Sequence, residues 1–129
     1  MKEDKMGTFE YRIGIGGTPE GPFQEVMALV DTGATYSMVP ASILRRLGIR
    51  PLEKMKFETA DSRIIEKDVA EVPVRLDGRV RYSIIIFGDE NTQPLLGAFT
   101  LEAFSLGVDP RSRRLIPVTG LLKSFCTAE

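Results

Sequence analysis

One short stretch narrows the folds open to this chain more than any other. Ala28-Leu29-Val30, an apolar run of strand character, ends on Asp31 and passes straight into Thr32-Gly33-Ala34. A carboxylate that closes a buried strand costs free energy unless donors lie at hand. A hydroxyl and two amides flanked by the smallest side chains can supply them. The pattern therefore asks for a fold in which a strand delivers an acid into a tight loop. It occurs once. The plainer alternative is that Asp31 only caps the turn running from Thr32 to Ser37.

What the chain lacks removes several chemistries. With no His there is no Ser-His-Asp or Cys-His relay and no His-based metal site. The single Cys, Cys126, has no partner for an intrachain disulfide and no neighbouring base to activate it. Seventeen basic and 18 acidic residues leave a net charge of -1, which argues against a nucleic-acid partner. The cluster Arg111-Ser112-Arg113-Arg114 reads as a solvated turn. The opening Met1-Lys2-Glu3-Asp4-Lys5-Met6 has no apolar signal core, and no stretch nears the roughly 18 to 20 apolar residues of a membrane span. The expectation is a cytoplasmic protein without a membrane partner, metal or cofactor. Its 129 residues form one domain, with a core over about 9–118.

Periodicity predicts many short strands and two short helices. Phe9, Tyr11, Ile13 and Ile15 alternate, Gly14, Gly16 and Gly17 announce a turn, and Val26 to Val30 resumes as a strand. Pro40 to Gly48 reads as a short helix, with Pro early, Arg45 and Arg46 in the last turn and Gly as a stop. Val72, Val74 and Leu76 alternate up to Asp77-Gly78, a two-residue hairpin signal, and Val80, Tyr82, Ile84 and Ile86 alternate away from it. Pro73 must then sit where no ladder hydrogen bond is needed. Leu95-Leu96-Gly97 leads into a helix over Ala98 to Phe104 with Phe99, Leu101 and Phe104 available for burial. Leu106 to Asp109 and Leu115 to Val118 close the fold. Gly97 suits a close approach of two backbones. Met27, Met38 and Met55 read as core filler or as lining of an apolar pocket.

The order Leu29-Val30-Asp31-Thr32-Gly33-Ala34, a helix ending at Leu47-Gly48, a hairpin, and Leu95-Leu96-Gly97 before a second helix resembles the retropepsin-like aspartic proteases over roughly residues 9 to 118. The resemblance implies an all-β fold, a small closed β-barrel with one or two short helices. It implies a C2 homodimer in which each subunit contributes one Asp-Thr-Gly loop, because two like carboxylates must share a proton and a water. Asp31 is the expected catalytic residue. Thr32 is expected to tie the two loops together, and Gly33 and Ala34 to point amides at the carboxylate. Leu95, Leu96 and Gly97 are expected as scaffold behind the site.

A flap that covers the substrate is placed at Phe57 to Asp68, with Thr59, Ala60, Asp61 and Ser62 near its tip. The segment departs from the family in having no Gly, so any positive φ falls on Asp61 or Ser62. Thr35, Tyr36 and Ser37 read as loop hydroxyls, with nothing nearby to activate a nucleophile. The implied activity is that of an aspartic endopeptidase acting on polypeptide. The alternatives are a dimeric peptide-binding module without useful turnover and a dimerising structural unit. The tail from Thr119 to Cys126, with Leu121, Leu122 and Phe125 as candidate contacts, could join the dimer as a strand, turn helical or fray.

Overall fold

The computed structural model describes residues 8–120. The expectations for the N-terminal segment Met1 to Met6 and for Leu121, Leu122, Phe125 and Cys126 lie outside these residues. In chain order the elements are β1 (Phe9–Gly16), β2 (Phe23–Val30), β3 (Ser37–Pro40), α1 (Ala41–Arg46), β4 (Glu53–Glu58) and β5 (Ile64–Leu76). They continue as β6 (Arg79–Gly88), β7 (Leu95–Leu96), α2 (Ala98–Ala103), β8 (Leu106–Asp109) and β9 (Arg114–Pro117). The protein is mostly strand, as expected. Among the described residues no helix is long and apolar enough to cross a membrane.

Local chemistry accounts for the turns. Asp77 and Gly78 both take positive φ, +52° and +80°, which is the mirror-image turn that matches the twist of β5 and β6. Helix α1 stops where Gly48 adopts φ +80° and donates its amide to the Arg45 carbonyl. Hydrogen-bonded and non-bonded pairs alternate outward from Leu76 and Arg79, so Pro73, opposite Tyr82, needs no amide toward β6. On its other side, β4 has ended opposite Val69 and β1 begins opposite Val74, so no ladder reaches Pro73 there either.

Seven strands form one sheet in the order β1-β2-β7-β3-β6-β5-β4, and β1 also pairs with β5 through Gly14–Arg75 and Ile15–Val74. The pairing thus returns on itself through six strands, with the β4 end of the β4–β5 hairpin outside the circuit. Strands β8 and β9 form a separate two-stranded sheet. Ile13 and Ile15, Ala28 and Val30, Val72 and Val74, and Ile85 and Leu96 meet inside the circuit, joined by Leu44 of α1, Leu101 of α2 and Phe104 just after it. Burying each large aliphatic or aromatic side chain contributes about 1.5–3 kcal/mol.

Several burial expectations are overturned. Phe99 is 42% exposed; the buried residues of α2 are Thr100 and Leu101. Met27 is likewise exposed and fills no core. The alternating set Val80, Tyr82, Ile84 and Ile86 does not form the main inward face of β6: Tyr82 is 54% exposed and only Ile86 of the four is buried, whereas Ser83, Ile85 and Phe87 are all buried. Opposite Val74 and Leu76, that inward face carries Arg81 and Arg79. Their guanidinium carbons lie 5.9 and 5.4 Å from the Phe104 ring centroid, and Arg79 donates to the Phe104 carbonyl. Two arginine stems thus cover an aromatic ring that an aliphatic pattern does not reach.

Candidate active site

Val30, the last residue of β2, is fully buried, and Asp31 emerges half-buried beside it. The two-residue strand β7 holds this end of the chain in place. Leu29 donates to the Pro94 carbonyl at 2.8 Å and Asp31 to the Leu96 carbonyl at 3.0 Å. The Asp31 Oδ1 accepts the Gly33 amide at 2.9 Å. Ala34 does not share that role. Its amide closes the turn onto the main-chain carbonyl of Asp31 at 3.0 Å, because a tight turn has first claim on the amide three residues on. Thr32, Gly33 and Thr35 are exposed, and the Thr32 hydroxyl makes no hydrogen bond within the described chain.

Behind the loop stands Gly97, whose conformation is ordinary extended backbone; what requires glycine is space. A Cβ there would lie 2.7 Å from the Tyr36 carbonyl oxygen and 2.8 Å from that of Ala34. The next two amides, Ala98 and Phe99 at the start of α2, donate to the carbonyls of Ala34 and Thr35, each at 2.8 Å. Leu96 is fully buried, and its carbonyl takes the Asp31 amide. Leu95 is not behind the loop: its side chain is half-exposed and lines the cavity in front.

That cavity, of about 620 Å³, brings together Asp31, Tyr36, Met38, Phe57, Ile65 and Ile86, with Thr59 and Ala60 at its flap side. Of the four tip residues, Asp61 and Ser62 do not line it. They shape the turn. Ser62 takes φ +66°, and Thr59 exchanges backbone hydrogen bonds with Ser62 and Arg63. The Thr59 hydroxyl donates to the Asp61 carboxylate, as does Arg63 at 3.1 Å. These two donors, the hydroxyl first, hold the Asp61 carboxyl below the ordinary carboxylate range. At the opposite wall, Lys67 reaches Asp89 at 2.7 Å.

Two features were missed in the sequence. Tyr36, read only as a loop hydroxyl, sets its ring edge-on to Phe57 and tilted against Phe99, both at 5.8 Å, and so joins the flap strand to α2. Among the described residues Ser37, Ser83 and Thr100 are the buried polar side chains, and Thr100 contacts both serines. A hydroxyl at position 83 inside an apolar strand was the available signal for the second feature.

A second hollow, of about 380 Å³, lies where β1 meets β5, lined by Tyr11, Arg12, Glu25, Arg75 and Asp77. Its charges are already engaged. Glu25 faces Arg12 and Arg75 at 3.6 and 3.8 Å, and Tyr11 donates to Asp77 at 2.7 Å.

Residues 12–99 match the family described as aspartyl protease. No curated protein matches the sequence. Among solved structures, the chain is similar to the solution structure of Simian Foamy Virus (mac) protease, with 22% identity over 73% of this chain and 92% of that one and a TM-score of 0.53. A likeness of that degree speaks for the fold alone.

Proposed function

The chain belongs to the aspartyl protease family, with a retropepsin-like fold, and from that membership we propose that it is a homodimeric endopeptidase in which two copies of Asp31 activate one water. The observation that carries this reading is a lone Asp-Thr-Gly whose carboxylate stands at the rim of a large apolar cavity. One carboxylate cannot be base and acid at once, so the second comes from a twin across a two-fold axis. The exposed Thr32 and Gly33 favour that face as the meeting surface. The six-strand circuit supports a small closed β-barrel as the scaffold of each subunit.

In the dimer one Asp31 is ionised and its mate is protonated. The ionised copy takes a proton from the shared water as its oxygen adds to the peptide carbonyl carbon, while the protonated copy passes its own proton to the carbonyl oxygen, giving a neutral gem-diol. The C–N bond then breaks as the first copy gives its newly gained proton to the departing nitrogen and a gem-diol hydroxyl returns a proton to the second copy, which restores the starting pair. Gly33 holds the carboxylate in place, Thr32 links the two loops, and Thr59 and Ala60 lie over an extended substrate. A polypeptide bound there gains backbone hydrogen bonds, and its apolar side chains fill the cavity. The step requires no metal or cofactor.

A second reading, a dimer that binds peptides without turning them over, is favoured by the Gly-free tip, where Thr59, Asp61 and Arg63 clasp one another. Incubation of wild type and Asp31→Asn with unfolded protein from acidic to neutral pH separates the two. Cleavage by wild type alone supports the endopeptidase; equal cleavage by both removes Asp31 from the chemistry; binding without cleavage favours the module. Sedimentation over a concentration series reports the dimer, and activity that tracks a strictly monomeric species defeats the shared-site mechanism.

A further inference from the structure

Nearly all the interior behind Asp31 is apolar, yet three hydroxyls are buried there together. Thr100 Oγ1 lies 2.5 Å from Ser37 Oγ and 2.8 Å from Ser83 Oγ, and Ser37 Oγ accepts the Gly97 amide at 2.9 Å. Each comes from a different element: Ser37 opens β3 at the end of the Asp31 loop, Ser83 lies in β6, and Thr100 lies in the first turns of α2. A helical Thr usually spends its hydroxyl on its own helix or on solvent. Here it reaches across to two strands. Among the described residues no buried side-chain polar atom is left without a partner, and each of these three oxygens has at least one.

Its location makes it more than filler. Gly97 is the residue at which any side chain would collide with the carbonyls of Ala34 and Tyr36, and the amides that follow it hold the carbonyls of Ala34 and Thr35. Ser37 thus anchors Gly97 from one side, while Thr100 and Ser83 fix where Ser37 and α2 stand relative to β6. Apolar side chains of similar volume would fill the space with no demand on direction. A hydroxyl chain keeps its partners only while the three elements hold their relative positions, and low dielectric makes loss of a partner costly.

We propose that Ser37, Ser83 and Thr100 form a positioning element that sets the Asp31 loop through Gly97. Its effect on turnover rests on the endopeptidase reading above; its effect on the loop does not. The three residues touch neither the substrate nor the reacting atoms. They determine where the carboxylate stands, and a misplacement on the order of 1 Å costs about a hundredfold in rate.

The test uses Thr100→Val, which keeps the shape and removes the hydroxyl, and Thr100→Ser, which restores it. Amide hydrogen exchange and steady-state cleavage are measured on both as dimers. In Thr100→Val, exchange at Gly97, Ala98 and Phe99 is expected to rise about tenfold over that of the β5 and β6 core amides. The kcat is expected to fall about tenfold with KM within about twofold, and Thr100→Ser is expected to recover both. Ser83→Ala supplies the same readouts if the valine variant does not fold. Exchange that rises evenly across the domain, or local loosening with wild-type kcat, overturns the proposal. A wild type as inert as Asp31→Asn defeats the protease reading instead, and the exchange pattern then decides the positioning role by itself.

Discussion

Substituting Gly97 by Ala tests how closely the Asp31 loop is backed. The added Cβ would meet the Tyr36 carbonyl oxygen and carbon at 2.7 and 2.8 Å and the Ala34 oxygen at 2.8 Å, where 3.4 Å marks ordinary contact. Both obstacles are backbone, so neither yields by a rotamer change. The gap must open by roughly 0.6 to 0.7 Å, which strains the hydrogen bonds from Ala98 to Ala34 and from Phe99 to Thr35. Overpacking of this kind costs about 1–3 kcal/mol. For a chain of this length, that lowers Tm by roughly 3–5 °C per kcal/mol. Because the displaced carbonyls belong to the Asp31 loop, turnover per folded molecule is expected to fall further than stability does. Gly48→Ala is the control: it carries φ +80° but nothing stands within 4 Å, so it costs backbone strain without touching the loop. Urea unfolding at fixed protein concentration and cleavage of unfolded protein read the two effects. Gly97→Ala with wild-type unfolding and wild-type turnover refutes the close-packing argument.

Other perturbations follow from the same geometry. Ser62→Gly relieves a left-handed serine at the flap tip and is expected to stabilise by about 1 kcal/mol, seen as a higher unfolding midpoint. An unchanged or lower midpoint would show that the Thr59–Asp61–Arg63 clasp already absorbs the strain. Tyr11, hydrogen-bonded to Asp77 and partly shielded from water, has its phenol pKa pushed up to about 12. The raised value means that this bond stabilises the fold fully below pH 10 and is lost as pH rises from 10 toward 12. In Asp77→Asn, ultraviolet titration is expected to show Tyr11 ionising nearer 10. The Asp61, Glu90 and Asp109 carboxyls are held low, chiefly by hydroxyls of Thr59, Ser42 and Ser112. Their stabilisation is present above the ordinary carboxylate range and is lost as pH falls through their depressed values. Ser42→Ala, which removes a donor to Glu90, is therefore expected to flatten the acid limb of a stability profile measured by urea unfolding.

Where structure is set within a few residues, the amino-acid order is enough to read it. Asp77-Gly78 dictates its hairpin because both positions need positive φ, Gly48 ends α1 for the same reason, and Asp31 is delivered by an apolar strand into a loop whose Gly33 amide holds it. Gly97 was legible as a close approach, though the two residues before it face opposite ways, Leu95 into the cavity and Leu96 into the core. Period-2 alternation names two faces of a strand without saying which one is buried.

For β6 that choice lay with distant partners. Val74 and Leu76 across the ladder and Phe104 beyond α2 turned Ser83 inward and Tyr82 out, and the same docking of α2 left Phe99 exposed against Tyr36. The hydroxyl cluster depends on those placements, since Ser37, Ser83 and Thr100 become neighbours only once three elements far apart in the chain have packed. Turns and the acid loop are short-range, settled by φ, ring closure and adjacent amides. Faces, cavity walls and buried polar contacts are long-range, settled by which surfaces exclude water together.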